Sequence, residues 1–132
     1  MTETPPISGI HHVTLTVSDL DRSIAWYDEV LGFTLLRRLA AAELEKAMLV
    51  RDRLVVTFVD HGVLAEPGPF SERRCGLDHL SFAVPDRAAL DAWVERLDAV
   101  GVEHGEITTG ARGELVAFRD PDNIALEFYT RQ

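Results

Sequence analysis

The sequence predicts an α+β protein in which two βαβββ modules form a curved, open, barrel-like sheet. Three observations carry this. The string His12-Val-Thr-Leu-Thr-Val-Ser-Asp19 returns as His79-Leu-Ser-Phe-Ala-Val-Pro-Asp86. The likeness continues downstream, with Ala25 and Trp26 falling on Ala92 and Trp93, so a strand and most of a helix are repeated. Each copy is then followed by three short strand-like runs.

In the first copy, Ile10 to Val17 alternates as a strand. Ser18 offers a capping hydroxyl with Asp21 three residues on, and Leu20, Ile24, Tyr27 and Leu31 recur at helical spacing. A helix with one apolar stripe should follow and end at Gly32, where glycine takes a left-handed conformation without steric cost. Phe33 to Leu39, Ala47 to Val50 and Leu54 to Val59 read as strands, joined through Ala40–Glu43 and Arg51–Arg53. Ala40 to Lys46 is alternatively a helical turn. His61 to Gly76, with Pro67, Gly68 and Pro69, has no periodicity and forms the connection.

The second copy runs the same course, with a strand at Leu77 to Val84 and a helix from Arg87 to Val100. That helix is closed by Gly101 and is about half a turn longer than the first. Strands follow at Val102 to Thr108, Glu114 to Arg119 and Ile124 to Tyr129, and Asp120-Pro-Asp-Asn123 makes the last reversal. Residues 1–132 are expected as a single domain: module 1 over about 8–61, a linker over about 62–75 and module 2 over about 76–131.

Strand parity sets which way side chains face. Val13, Leu15 and Val17, with Leu80, Phe82 and Val84, must pack under the helices, which sends His12, Thr14, His79 and Ser81 to the opposite, cleft face. In the last strand Leu126 and Phe128 take the helix side, so Glu127 and Tyr129 join the cleft. His11 has the wrong parity. Trp26 and Trp93 suit packing better than a ligand cage, and the Gly110-Ala-Arg-Gly113 turn places Arg112 near the cleft mouth.

Composition narrows the function. With 132 residues and 46% apolar content the chain can build one core. It carries no long apolar run and no signal-peptide pattern, so a cytoplasmic protein without a membrane partner is expected. A net charge of -9 argues against nucleic acid. Cys75 is the single cysteine, so no intrachain disulfide can form.

His12, His79 and Glu127 therefore converge from three strands. Two neutral imidazoles and one carboxylate make a facial triad that leaves about three coordination positions open for substrate. A carboxylate facing a cleft is costly without a positive partner, and a metal supplies one. The expected cofactor is a divalent metal ion (Fe, Mn, Zn or Ni) acting on a small-molecule substrate.

These residues resemble the vicinal oxygen chelate superfamily, which includes glyoxalase I, fosfomycin-resistance proteins, bleomycin-binding proteins, methylmalonyl-CoA epimerase and extradiol dioxygenases. The resemblance runs from Ile10 to Tyr129. It is carried by His12-Val-Thr-Leu-Thr-Val-Ser-Asp-Leu-Asp-Arg-Ser-Ile-Ala-Trp-Tyr27, Val30-Leu-Gly-Phe33, Leu77-Asp-His-Leu-Ser-Phe82 and Phe118-Arg-Asp-Pro-Asp-Asn-Ile-Ala-Leu-Glu127. It implies ligand positions at His12, Thr57, His79 and Glu127. Thr57 departs from the carboxylate that glyoxalase I carries there, which speaks against that activity. The remaining two-histidine, one-glutamate set is similar to that of fosfomycin-resistance enzymes and extradiol dioxygenases, and Thr14 resembles a substrate-facing threonine of the former.

The expectation is a metal-dependent enzyme of isomerase, lyase, epoxide-opening transferase or dioxygenase type, acting on a molecule with vicinal oxygens. Its ligands are His12, His79 and Glu127, with Glu127 also catalytic; Thr14, Thr57, Ser81 and Tyr129 contact substrate. The alternative is a metal-free binding protein of the bleomycin-resistance type. A homodimer is expected, because short strands leave edges that an isologous interface covers.

Overall fold

Each repeat forms its own four-stranded sheet. The computed structural model describes residues 3–131, so Met1, Thr2 and Gln132 of the expected 1–132 unit lie outside the described residues. The first module contains β1 (Val13–Thr16), α1 (Leu20–Leu31), β2 (Thr34–Ala40), β3 (Glu45–Arg51) and β4 (Leu54–Asp60). The second contains β5 (Leu80–Val84), α2 (Arg87–Ala99), β6 (Thr108–Thr109), β7 (Glu114–Arg119) and β8 (Ala125–Thr130). The strands order as β1-β4-β3-β2 and β5-β8-β7-β6, and in each sheet the first strand lies parallel to the last. The expected α+β architecture of two βαβββ modules is present, as two open mixed sheets.

Local signals account for most element boundaries. Gly32 takes φ 74° and its N–H donates to Asp28, while the Phe33 N–H donates to the Tyr27 carbonyl at 3.0 Å, closing α1 as a left-handed cap. Asn123 takes φ 66° in the last turn, where Asp120 Oδ1 accepts the N–H groups of Asp122 and Ile124 at 2.9 Å each.

Several boundaries differ from expectation. Asp19, not Ser18, caps α1, its carboxylate accepting the Arg22 N–H at 3.1 Å. Ser18 is drawn away because its N–H and hydroxyl both donate to Asp122 of the other module. The second helix has 13 residues against 12, one more rather than two, because Val100 is already the cap. β1 and β5 are shorter than expected, each beginning one residue after its histidine. The Ala41–Leu44 segment is a tight hairpin closed by an Ala41 N–H to Leu44 carbonyl bond of 2.8 Å, not a helical turn. Most of the Val102–Thr108 strand is absent: His104 makes one isolated bridge to Phe118, and its ring is turned to Asp98.

The two modules meet through their helix-covered sides. One hydrophobic cluster includes Leu15, Tyr27 and Phe58 from the first module with Val84, Leu97 and Phe128 from the second. Trp26 stacks on Phe118 at 6.3 Å, Phe33 meets Phe82 at 6.0 Å, and the buried Tyr27 hydroxyl donates to Asp120 at 2.7 Å. The opposite face of each sheet is left open, with Thr14, Thr16, Ser81 and Ala83 exposed. Among the described residues, no helix is long and apolar enough to cross a membrane.

A candidate metal centre on the open face of the second sheet

Glu127 sits in β8 between Leu126 and Phe128, which are 1% and 3% exposed. Burial of those neighbours turns its carboxylate to the open face, opposite Ser81 of β5 in the parallel register. There Glu127 Oε1 stands 3.4 Å from Nε2 of His79, the residue immediately before β5. Asp78 lies 2.8 Å from Nδ1 of the same ring. A carboxylate accepts, so Nδ1 donates to Asp78, which leaves Nε2, the nitrogen facing Glu127, as the one that can ligate a cation when it carries no proton. The Asp78 hydrogen bond, with the negative charge of Glu127, raises the His79 pKa above the ordinary histidine value.

The spacing suits a shared cation. Two ligand atoms each about 2.1 Å from one ion stand roughly 3.0 to 3.4 Å apart at octahedral to tetrahedral angles. The donor types, imidazole and carboxylate, suit a divalent transition metal.

His12 is not part of this pair. It precedes β1, is exposed, and its Nδ1 lies 2.8 Å from Nδ1 of His11. Among the described residues, no group of three or more His, Cys, Asp or Glu side chains could hold a metal ion. The convergence of His12, His79 and Glu127 that strand parity implied is therefore not assembled within one chain. Parity assigns a face to each residue but does not bring residues of two different sheets together, and His12 precedes β1 of the first sheet while Glu127 lies in β8 of the second.

The remaining residues take varied positions. Thr14 pairs with the half-buried Thr57 across β1 and β4, and Ser81 lies beside Glu127. The Tyr129 hydroxyl accepts the Arg112 N–H at 3.0 Å, which ties it to the Gly110–Gly113 turn. A Cβ at Gly110 would stand 2.1 Å from that hydroxyl, so glycine is what lets the ring lie there.

A cavity of about 440 Å³ opens beside His79, lined among others by Glu72, Asp78, His104 and Arg119. Arg119 donates through Nη1 and Nη2 to both Glu72 oxygens at 3.0 and 3.1 Å. That pairing holds the Glu72 carboxyl down at about 2. His104 has an acceptor facing each ring nitrogen, the Gly105 carbonyl and Asp98, both at 2.7 Å, and both contacts raise its pKa. Reading by motif missed Asp78 and Arg119. The available signals were an acid directly before a candidate ligand, and an arginine whose strand parity matches Glu127.

Residues 9–128 match the family model of the Glyoxalase/Bleomycin resistance protein/Dioxygenase superfamily. The crystal structure of a glyoxylase/bleomycin resistance protein/dioxygenase domain from Frankia sp. EAN1pec is 38% identical, with a TM-score of 0.88 over 96% of this chain and 100% of that one. The uncharacterized protein YaeR of Escherichia coli is 30% identical over 93% of this chain and 96% of its own length. Catechol-2,3-dioxygenase of Bacillus subtilis is 27% identical over 98% of this chain, which spans 44% of that relative.

Proposed function

The chain belongs to the Glyoxalase/Bleomycin resistance protein/Dioxygenase superfamily, and we propose that it is a metal-dependent enzyme acting on a small molecule with two vicinal oxygens. The observation that carries this reading is the 3.4 Å approach of His79 Nε2 and Glu127 Oε1 on an open sheet face. A divalent ion held there supplies Lewis acidity toward paired substrate oxygens and the negative charge that develops on them.

The chain's own residues divide the remaining work. His79 and Glu127 would hold the ion, with Asp78 keeping the His79 ring in the tautomer that offers Nε2. Glu127 has a second oxygen with which to accept a proton from substrate. Thr14, Thr57 and Ser81 offer hydroxyl donors on the same class of face. Tyr129 accepts the Arg112 N–H and retains its own proton to donate.

His12 would enter as the third ligand from a second copy of the chain. Met48, Thr57 and Thr14 lie in register on the open face of the first sheet, and Leu36, Leu39 and Met48 are 63%, 47% and 38% exposed. A homodimer that lays this sheet beside the partner's second sheet covers that apolar surface and brings His12 to the His79–Glu127 pair. One observation favours the metal-free binding alternative, that the described residues of a single chain hold no three-ligand group.

Titration of chelator-stripped protein with Mn(II) and Zn(II), beside His79→Ala, separates the two. Stoichiometric uptake that the variant loses is expected. A wild type that binds neither ion sinks the enzyme reading.

A further inference from the structure

Arg119 and Glu127 share a face. In β7, Arg119 lies directly opposite Ala125, two residues before Glu127 in β8, and the flanking Phe118 and Leu126 are buried. The two side chains are therefore diagonal neighbours whose Cα atoms stand roughly 7–8 Å apart, within reach of one small molecule. Arg119 lines the same cavity as His79.

A carboxylate already occupies its fork. Glu72, from the connection between the modules, takes Nη1 and Nη2 through both oxygens, the two-point geometry by which arginine recognises a free carboxylate. The rest of the arrangement allows exchange. Nη1 also donates to the Asn123 carbonyl at 3.1 Å, which holds the guanidinium in place without Glu72. The connection is anchored separately, through the Phe70 N–H to the Asp122 carbonyl at 3.0 Å and the Asn123 amide to the Phe70 carbonyl at 3.2 Å. Both partners are partly exposed, 42% and 36%, so breaking their ion pair costs little. His104 is committed to Asp98 and Gly105, while Asp78 and Glu103 line the cavity as acids. They repel an anion that cannot pair with the fork.

We propose that Arg119 is a substrate-binding residue for a carboxylate, with Glu72 as its internal competitor. The substrate class is then a vicinal-oxygen compound bearing a separate carboxylate. This rests on the metal-centre reading for the position of the paired oxygens.

Calorimetric titration of Mn(II)-loaded protein with catechol and with 3,4-dihydroxybenzoate tests it, since the probes share the paired oxygens and differ by the carboxylate. Wild type is expected to bind the carboxylated probe about tenfold more tightly, on the order of one charge-assisted contact. Arg119→Met should erase that preference. Glu72→Gln should tighten the carboxylated probe several-fold and leave catechol unchanged. A wild type indifferent to the carboxylate, an Arg119→Met that keeps the preference, or a Glu72→Gln that gains nothing overturns the proposal. Mn(II) titrated alone reads the metal centre separately. If no Mn(II) binds, benzoate and the metal-free protein test the subsite by themselves: binding should tighten in Glu72→Gln and vanish in Arg119→Met, and any other pattern overturns it.

Discussion

Asp78 accepts the Nδ1 proton of His79 at 2.8 Å, and the same ring offers Nε2 to Glu127 at 3.4 Å. One adjacent residue thus selects which histidine nitrogen is free to ligate. Asp78→Ala is expected to weaken divalent-metal affinity about 10- to 100-fold, the usual effect of losing such an outer partner, and Asp78→Asn, which keeps an acceptor, should lose less. Competition with a chromophoric chelator measures both. Equal affinity in all three proteins would remove Asp78 from this role.

If a second copy supplies His12, a mixed dimer of His12→Ala and Glu127→Ala chains regains one intact site, while each variant alone has none. Metal analysis of the mixed dimer, isolated through two different tags, gives the answer. No recovery would remove the second copy's His12 from the site.

The Tyr27 hydroxyl is buried and donates to Asp120 across the module interface at 2.7 Å. Burial pushes the phenol pKa well above its usual value, reinforced by the charge of Asp120, so the group stays a donor. Tyr27→Phe leaves Asp120 with its two backbone donors and is expected to cost about 1–3 kcal/mol, read from urea unfolding. A change within error would mean that this bond contributes nothing to joining the modules.

His104 joins Asp98 near the end of α2 to the Gly105 carbonyl, and its pKa lies above the ordinary 6.5 because of the Gly105 carbonyl first and Asp98 second. A histidine whose folded value is raised stabilises fully below its unfolded value and loses that contribution as pH rises through the folded value. The difference in melting temperature between wild type and His104→Gln should therefore be largest below pH 6.5 and shrink above it. A difference that grows with pH would contradict the assignment.

A Cβ added at Gly110 would stand 2.1 Å from the Tyr129 hydroxyl and 3.0 Å from Leu115. Gly110→Ala must displace the ring and break its bond to the Arg112 N–H, at an expected cost of about 1–3 kcal/mol. Thermal unfolding beside Tyr129→Phe checks this. The glycine variant should be the less stable of the two.

Much of this was legible in local residue patterns. The repeat of His12–Asp19 at His79–Asp86 gave both modules, and alternation about Leu126 and Phe128 correctly turned Glu127 to the open face. Cap position was less legible, because Ser18 and Asp19 are both good caps locally and only the distant Asp122 decides between them. The Val102–Thr108 segment has strand-like composition, yet His104 is drawn to Asp98 on the preceding helix and the ladder is interrupted.

The sequence alone determined the two modules and the face that Glu127 takes, because periodicity acts over a few neighbouring residues, and its motifs carried the resemblance to the family. Only the tertiary structure decided which candidates meet. His79 reaches Glu127 because β5 and β8 pair within one sheet, whereas His12 precedes β1 of the other sheet, and the aromatic side chains buried between the modules fix how the two sheets pack. That packing depends on which faces exclude water against each other, a property of the packed chain as a whole.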